Sequence, residues 1–326
     1  MRAVGRGLAA LVALLAVGAA AALAFGPREP VDRSISFEAA ALPADLDAWL
    51  AEREGGVPAL REAARKRIVW AGEAGEPTPF SIVYRHGFSA SAGEMRRVPN
   101  LVAQALGANL FFTRLTGHGR DGAAMAEASA GDWIEDTAEA LAIGRRIGER
   151  LVVIGTSTGG TLAALAALDD DLAEGLAGVV FVSPNFRIAN PGAPLLTLPW
   201  AREWLPALLG EERGFEPVNE SHAAHWTIRY PTVAVLPMAA LVAHVRGLDP
   251  NRSAVPALFL WSEHDAVVSP SATARMAAEW GGPSEALPVV LGPGDDPFGH
   301  VLAGDILSPG MTDDMATLIA EWAERL

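Results

Sequence analysis

The stretch Leu151–Gly160, which reads LVVIGTSTGG, decides the fold of this chain. It begins with four apolar residues of the kind that form buried strands, continues through Gly-Thr-Ser-Thr-Gly, and leads into small helix-forming residues from Thr161 onward. A strand that passes directly into a helix needs a sharp turn, and Gly155 and Gly159 keep side chains out of that turn. The stretch therefore predicts a buried strand, a tight turn with Ser157 at its apex, and a helix.

The rest of the chain repeats this alternation of strands and helices. Short runs rich in β-forming residues predict strands at Arg67–Trp70, Phe80–Tyr84, Asn109–Arg114, Leu151–Ile154, Val179–Val182, Ala257–Trp261 and Pro288–Leu291. Apolar residues at helical spacing predict helices at Pro43–Arg53, Glu94–Leu106, Asp132–Ile147, Thr158–Leu168, Ser271–Trp280 and Thr312–Leu326. Near-continuous apolar strands that alternate with helices indicate a mostly parallel sheet covered on both faces. The predicted fold class is therefore α/β.

The alternation fails between residues 185 and 253, where eight prolines and three tryptophans occur. A structureless loop of this length is implausible inside a compact domain. We therefore predict an inserted, mostly helical cap at 185–253 that lies over the end of the sheet. The core then has two parts, 67–184 and 254–326, and residues 27–66 form a linker with short helices. The apolar, aromatic composition of the cap suits the roof of a substrate pocket.

An apolar run, Leu8–Phe25, follows Arg2 and Arg6 and carries no charge. A helix of this length spans about 27 Å, just enough to cross a bilayer. Two interpretations stay open. Residues 1–26 are either a cleaved signal peptide, which the small-residue triplet Ala22–Ala24 favours, or an uncleaved anchor with its arginines on the cytoplasmic side. Either one predicts export of the remaining chain, to the periplasm, to the periplasmic side of an inner membrane, or into the medium.

Composition excludes several classes of protein. The chain has 326 residues, 25 basic and 39 acidic residues, a formal charge of −14 and no cysteine. An acidic chain without a basic cluster is a poor nucleic-acid binder, because phosphate contacts need grouped lysines and arginines. The absence of cysteine excludes disulfide scaffolds, cysteine-ligated metal centres and thiol nucleophiles.

A serine on the predicted turn becomes a nucleophile only with a base, and the base needs an acid to orient it. After a strand-to-helix turn of this kind, the acid and then the base follow along the chain, each on a loop after a strand. Asp265 leaves the predicted strand Ala257–Trp261, and Glu263 in the same loop is the alternative acid. His300 lies downstream of both, on a loop between a predicted strand and the last helix.

The oxyanion that forms during attack on a carbonyl needs two backbone N–H donors. One normally follows the nucleophile and the other comes from the loop after an earlier strand. Thr158 supplies the first. The His86-Gly87 turn directly after the predicted strand at residues 80–84 makes the Phe88 N–H the second. We expect His86 to order this loop rather than to take part in the chemistry.

These features in their order resemble the α/β-hydrolase superfamily. The resemblance covers roughly residues 67–184 and 254–326, and its Gly-His-Gly after a strand looks like the monoacylglycerol lipase and lysophospholipase branch. It rests on His86-Gly87, Thr116-Gly117-His118-Gly119, the turn around Ser157, Asp265 and His300. It implies the roles of nucleophile, acid, base and two oxyanion donors for Ser157, Asp265, His300, Phe88 and Thr158. His118 and Arg120 are then loop structure, and no metal or cofactor is implied.

The leading hypothesis is a serine hydrolase that cleaves carboxylic esters, with lipid-like or other apolar acyl groups, through an acyl-enzyme. Acyltransferases and peptidases use the same triad on this fold. The alternative from a different class is a non-catalytic envelope binding protein. The expected partner is a small-molecule ester or lipid-like substrate, without nucleic acid, and with membrane contact through Leu8–Phe25 if that helix is retained. The cap sequence matches no branch, so the substrate-binding residues stay open.

Overall fold

The computed structural model describes residues 2–326, apart from the side chains of residues 2–5, 7–10 and 19. The strands are β1 (Arg67–Val69), β2 (Thr78–Arg85), β3 (Asn109–Phe112), β4 (Gly148–Thr156), β5 (Leu176–Val182), β6 (Glu212–Gly214), β7 (Arg229–Pro231), β8 (Ala257–Trp261) and β9 (Ser284–Pro288). A seven-stranded sheet has the order β1-β3-β2-β4-β5-β8-β9, and β6 and β7 form a separate two-stranded sheet. In the large sheet β1 runs antiparallel to β3, and the other neighbouring strands are parallel.

Helices cover both faces of the large sheet. They are α1 (Arg2–Phe25), α2 (Leu46–Gly55), α3 (Val98–Leu106), α4 (Ala130–Ile147), α5 (Thr158–Ala167), α6 (Asp170–Ala173), α7 (Ala201–Leu209), α8 (Glu220–His225), α9 (Val235–Arg246), α10 (Pro270–Glu279) and α11 (Thr312–Glu324). One apolar cluster joins α3 and α11 to the sheet, and another joins α4, α5, α9 and α10 to its opposite face. Adjacent strand residues such as Ile82 and Val83 belong to different clusters, because successive side chains of a strand point to opposite faces. The predicted α/β class is confirmed.

The order of the strands places the functional loops at one edge. β2 and β4 are neighbours in the sheet. The chain leaves β2 toward β3 on one side and leaves β4 toward β5 on the other side. In an open parallel sheet, ligands bind outside the carboxyl ends of the strands at such a switch point. The loops that follow β2, β4, β8 and β9 all begin at this edge. They carry Phe88, Ser157, Asp265 and His300.

Two predicted elements need correction. The strand predicted at Pro288–Leu291 is instead β9, at Ser284–Pro288, and Val290 is 83% exposed. All the side chains of β9 are exposed, so its pairing with β8 through the backbone leaves no apolar pattern in the sequence. The helix predicted from Glu94 begins only at Val98, because Arg97 has a left-handed backbone with φ 75°.

The segment predicted as a cap contains α7, α8 and α9 together with β6 and β7. It contacts the loops of the site near its start and in its middle: the Ala189 N–H donates to Val267 O at 2.9 Å, and the Thr227 N–H donates to Ser89 O at 2.7 Å. The last of its helices, α9, is buried against α4 and α5, which themselves pack on the sheet. The boundaries 185–253 stay a prediction.

The predicted apolar run Leu8–Phe25 lies in α1, and the side chains of residues 8–10 and 19 fall outside the described part. The side chains described along this helix are almost all exposed, with Leu14 at 70% and Phe25 at 88%. Within the described residues, no helix combines the length and apolarity that a bilayer crossing requires. Where the chain leaves α1, the Trp200 N–H donates to Pro27 O at 2.8 Å.

Candidate active site

Ser157 occupies the sharp turn between β4 and α5. Its backbone has φ 51° and ψ −116°, a conformation that non-glycine residues rarely adopt. The turn is held from both sides, since the Ser157 N–H donates to Val182 O and the Asn185 N–H donates to Ser157 O, each at 3.0 Å. A strained backbone persists only where its surroundings over-determine it, and such residues cluster at functional sites.

The glycines around Ser157 are required by close packing. A Cβ atom on Gly155 would lie 2.7 Å from Gly159 O, and one on Gly159 would lie 2.8 Å from His86 O. Any side chain at these positions would push α5 away from β4 or from the loop after β2. The Gly-Thr-Ser-Thr-Gly pattern therefore does in the structure what the sequence predicts for it.

Asp265 and His300 come together from loops 35 residues apart. The His300 Nδ1 lies 2.9 Å from Asp265 Oδ2, and Asp265 Oδ1 accepts the Val267 and Val268 N–H groups at 2.8 and 2.9 Å. Both oxygens of the carboxylate are therefore engaged, and its plane is fixed. The alternative acid Glu263 is exposed and accepts the Trp261 Nε1–H at 2.8 Å, so it is turned away from His300.

The electrostatics of His300 suit a base. Burial lowers the pKa of the imidazole, but Asp265 raises it by its charge and its hydrogen bond, and Glu94 and Asp296 add to the increase, so the pKa stands above 6.5. Because Nδ1 is used by Asp265, Nε2 is the nitrogen that remains for proton transfer. Ser157, Asp265 and His300 are 6%, 7% and 9% exposed, so this chemistry would take place away from bulk water.

Asp296 braces the loop that carries His300, and sequence reasoning missed it. Its Oδ2 accepts the His300 and Val301 N–H groups at 2.9 and 2.8 Å, and its Oδ1 accepts the Phe298 N–H at 3.1 Å. Aspartate often forms turns, because its carboxylate accepts backbone N–H groups a few residues further along the chain. Asp296 directly precedes Pro-Phe-Gly-His. That local signal was available in the sequence.

The loop after β2 is arranged around His86. The Leu115 N–H donates to His86 Nε2 at 3.2 Å, so Nε2 is the acceptor and the proton lies on Nδ1, which faces Gly87 O at 2.9 Å. Burial lowers the pKa of His86 well below 6.5, with the neighbouring His118 contributing. His86 therefore ties this loop to the Gly-His-Gly loop as a neutral imidazole, in the ordering role expected of it.

Phe88 is held by its ring, while its N–H stays free. The ring packs edge-on against Tyr230, His118 and Trp133, with centroid distances of 5.3, 5.7 and 6.2 Å. Among the residues that the structure describes, no acceptor meets the Phe88 N–H. The Thr158 N–H opens α5, where a helix offers no internal acceptor. Within the described residues, therefore, neither predicted oxyanion donor has a hydrogen-bond acceptor.

The two loops that supply these donors touch directly. A Cβ atom on Gly87 would lie 3.0 Å from Ser157 Cβ, so the backbone of the loop after β2 passes against the nucleophile. The structure thus brings Ser157 beside the Phe88 loop and Asp265 beside His300. Two cavities of about 360 and 410 Å³ in the described part of the chain are lined by other residues.

Fold and site together define a serine hydrolase of the α/β-hydrolase class. Residues 79–290 match the model of the family described as serine aminopeptidase, S33, and the chain belongs to that family. No curated protein matches the sequence closely enough to count as a relative.

Solved structures of lipolytic enzymes share the fold. One comes from a report on the metagenome-derived lipolytic enzymes LipS and LipT, with a TM-score of 0.65, 22% identity, and coverage of 82% of this chain and 100% of that one. A soluble variant of monoglyceride lipase from Saccharomyces cerevisiae, bound to a substrate analogue, has a TM-score of 0.60 at 10% identity, over 80% of this chain and 91% of that one. The monoacylglycerol lipase of Paleococcus ferrophilus has a TM-score of 0.55 at 15% identity, over 79% and 97%. At these identities the likeness shows the fold alone.

Proposed function

We propose that this serine hydrolase cleaves carboxylic esters with lipid-like or other apolar acyl groups. The observation that carries the proposal is the Asp265–His300 contact of 2.9 Å at the same sheet edge as the strained Ser157 turn. A binding protein needs neither a strained serine nor an oriented histidine. The lipolytic structures that share the fold support the choice of esters among the possible substrates.

In the proposed reaction Ser157 Oγ attacks the ester carbonyl while His300 Nε2 takes its proton. The Phe88 and Thr158 N–H groups stabilise the oxyanion, and Asp265 stabilises the imidazolium. Collapse of the tetrahedral intermediate transfers the proton from His300 to the departing alcohol and leaves an acyl-enzyme. Water, deprotonated by His300, then releases the carboxylic acid and restores Ser157.

A peptide substrate is the second candidate, because the family is described as a serine aminopeptidase. The same residues would then protonate an amine leaving group. Acyl transfer differs only in the acceptor, an alcohol in place of water. The surface that lies over Ser157 determines which leaving group is accepted. Assays with different substrates, rather than mutation of the catalytic residues, therefore distinguish these activities.

The test is labelling by a fluorophosphonate probe, followed by a panel of p-nitrophenyl esters, monoacylglycerols, lysophospholipids and aminoacyl p-nitroanilides. We expect labelling at Ser157 and the highest kcat/KM on an ester. The matched control is Ser183→Ala, because Ser183 is also buried and has a positive φ (42°) after the neighbouring strand β5. Ser157→Ala should abolish labelling and activity, and Ser183→Ala should keep both. Tight lipid binding without labelling would favour the non-catalytic alternative, and preference for the anilides would favour the peptidase.

Export and membrane contact belong to the same proposal. An exposed helix with Leu14, Leu15 and Val17 each more than 60% exposed is costly in water, so lipid covers it or cleavage removes it. Trp200, which lies at the end of this helix and is 42% exposed, would extend that contact. Mass spectrometry of the mature N-terminus separates cleavage from anchoring. Flotation with vesicles should depend on residues 1–24, while hydrolysis of soluble esters should not.

A further inference from the structure

A buried carboxyl group outside the predicted triad lies in the connection between β2 and α3, where it contacts the segment His86–Phe88, called here the oxyanion loop. Glu94 is 2% exposed, and its Oε2 accepts the Gly87 N–H at 2.7 Å and the Tyr84 O–H at 3.1 Å. The Tyr84 hydroxyl also lies 3.4 Å from the hydroxyl of Thr156, the residue before Ser157. This network therefore connects the oxyanion loop to the turn that carries the nucleophile.

The position of Glu94 requires glycine at residue 87. A Cβ atom there would lie 2.7 Å from Glu94 Oε1 and 3.0 Å from Ser157 Cβ. The carboxyl group and the nucleophile thus flank the same backbone atom. A larger residue at 87 would displace one of them.

Hydrogen bonds on both sides of Gly87 determine where the next N–H points. The Gly87 N–H is held by Glu94, and the Gly87 carbonyl faces His86 Nδ1. In a trans peptide the N–H lies opposite the carbonyl oxygen, so the Phe88 N–H points away from His86. The Gly87 carbonyl also accepts the Ala90 N–H at 3.2 Å. Without Glu94 the Gly87 N–H would lose its acceptor, so the backbone before Phe88 would be held from one side only and its N–H would be aimed less precisely.

Glu94 also interacts electrostatically with His300. Burial raises the pKa of Glu94 to about 7, against the opposing effects of the Gly87 N–H, His300 and Tyr84. In turn, Glu94 helps to raise the pKa of His300, as do Asp265 and Asp296. The titratable groups that face Glu94 are therefore Tyr84 from β2 and His300 from the loop after β9.

We propose that Glu94 is a positioning residue of this active site, which aims the Phe88 N–H by holding Gly87 and stabilises protonated His300 through its negative charge. The inference rests on the proposed function and adds a second carboxylate to its machinery. Glu94 touches no reacting atom, so it acts through Gly87 and His300. The ionised form of Glu94 is the active one. A neutral carboxyl group would stabilise protonated His300 less and would accept a weaker hydrogen bond from the Gly87 N–H.

The pH dependence separates this role from simple packing. kcat/KM rises with pH as His300 and Glu94 lose their protons, and coupled groups of this kind titrate as a pair. Glu94→Gln keeps the size of the side chain and removes its charge. The pKa of His300 then falls, and the acid limb of the profile moves to lower pH. Tyr84→Phe removes a donor to Glu94, raises the pKa of Glu94, and moves the acid limb to higher pH.

The experiment measures kcat, KM, the pH profile and fluorophosphonate labelling for the full chain and its variants. We expect Glu94→Gln to lower kcat about tenfold, less than the loss from removing an oxyanion donor, with KM little changed. The matched control is Glu54→Gln, since Glu54 is also 2% exposed but holds Arg114, at 2.7 and 2.9 Å. This control should melt at a lower temperature and keep the acid limb of the wild type.

Opposite shifts in Glu94→Gln and Tyr84→Phe support the proposal. A folded Glu94→Gln with wild-type kcat and acid limb overturns it, and so does a lower kcat without any shift. If Glu94→Gln does not fold, Tyr84→Phe decides, because an unchanged acid limb in that variant also overturns the proposal. A wild-type chain that is neither labelled nor active would overturn the proposed function and this inference with it.

Discussion

His300 presents its Nδ1 to Asp265 Oδ2 at 2.9 Å, and the other oxygen of that carboxylate is held by two backbone N–H groups. We expect Asp265→Asn to lower kcat on the order of 10³-fold or more, because an amide favours the wrong tautomer of the imidazole. Asp265 is the main group that raises the pKa of His300, so the pKa falls in this variant and the acid limb of kcat/KM moves to lower pH. Steady-state kinetics across pH measure both effects. Glu263→Gln is the control, and a larger loss in that variant would contradict the choice of acid.

Gly87→Ala should impair both activity and stability. The added Cβ would lie 2.7 Å from Glu94 Oε1 and 3.0 Å from Ser157 Cβ, in a place where neither can retreat without moving a loop. Overpacking of this kind costs about 1–3 kcal/mol. Thermal unfolding and kcat report the two losses. Gly72→Ala serves as control, since a Cβ there meets nothing within 4 Å, and equal losses in both variants would refute the packing argument.

Asp296→Asn should lower kcat by about tenfold with little change in KM, because the loop that carries His300 loses part of its brace. The carboxylate of Asp296 accepts three backbone N–H groups, and an amide would direct an NH₂ group at some of these donors. Asp295→Asn is the matched control. Asp295 is the adjacent, half-buried aspartate and accepts the Gly292 and Gly310 N–H groups instead. The prediction fails if the two variants have the same kcat.

His118 should make the protein less stable in acid. Burial lowers its pKa from 6.5 to about 4, so the unfolded chain binds a proton that the folded chain refuses. This contribution to stability is complete above pH 6.5 and is lost as the pH falls towards the folded value. Between about pH 7 and pH 5 it amounts to about 2 kcal/mol. His118→Gln should therefore lose less unfolding free energy on acidification than the wild type, as chemical denaturation at the two pH values measures. An equal loss in both proteins would contradict the assignment.

Strands and helices with strong apolar patterns could be predicted from the sequence, and weakly patterned ones could not. Ala257–Trp261 is found as predicted, because every side chain of this central strand is buried and the sequence must be apolar throughout. β9 is an edge strand with exposed side chains, so its place depends on backbone pairing with β8. Such pairing leaves no trace in side-chain chemistry.

The sequence by itself determined the turn at Ser157, because Gly155 and Gly159 are the residues that so tight a crossing of strand and helix needs. It also determined that Asp265 and His300 follow strands, at the edge where their loops converge. Only the tertiary structure shows that Asp265 and not Glu263 contacts His300, since both leave the same strand and only the path of the loop turns one of them toward His300. Only the tertiary structure brought Gly87, whose N–H is held by Glu94 from the same loop, against Ser157. The contact between Gly87 and Ser157 joins loops that follow different strands, so it is set by how the whole sheet packs, which no local pattern records.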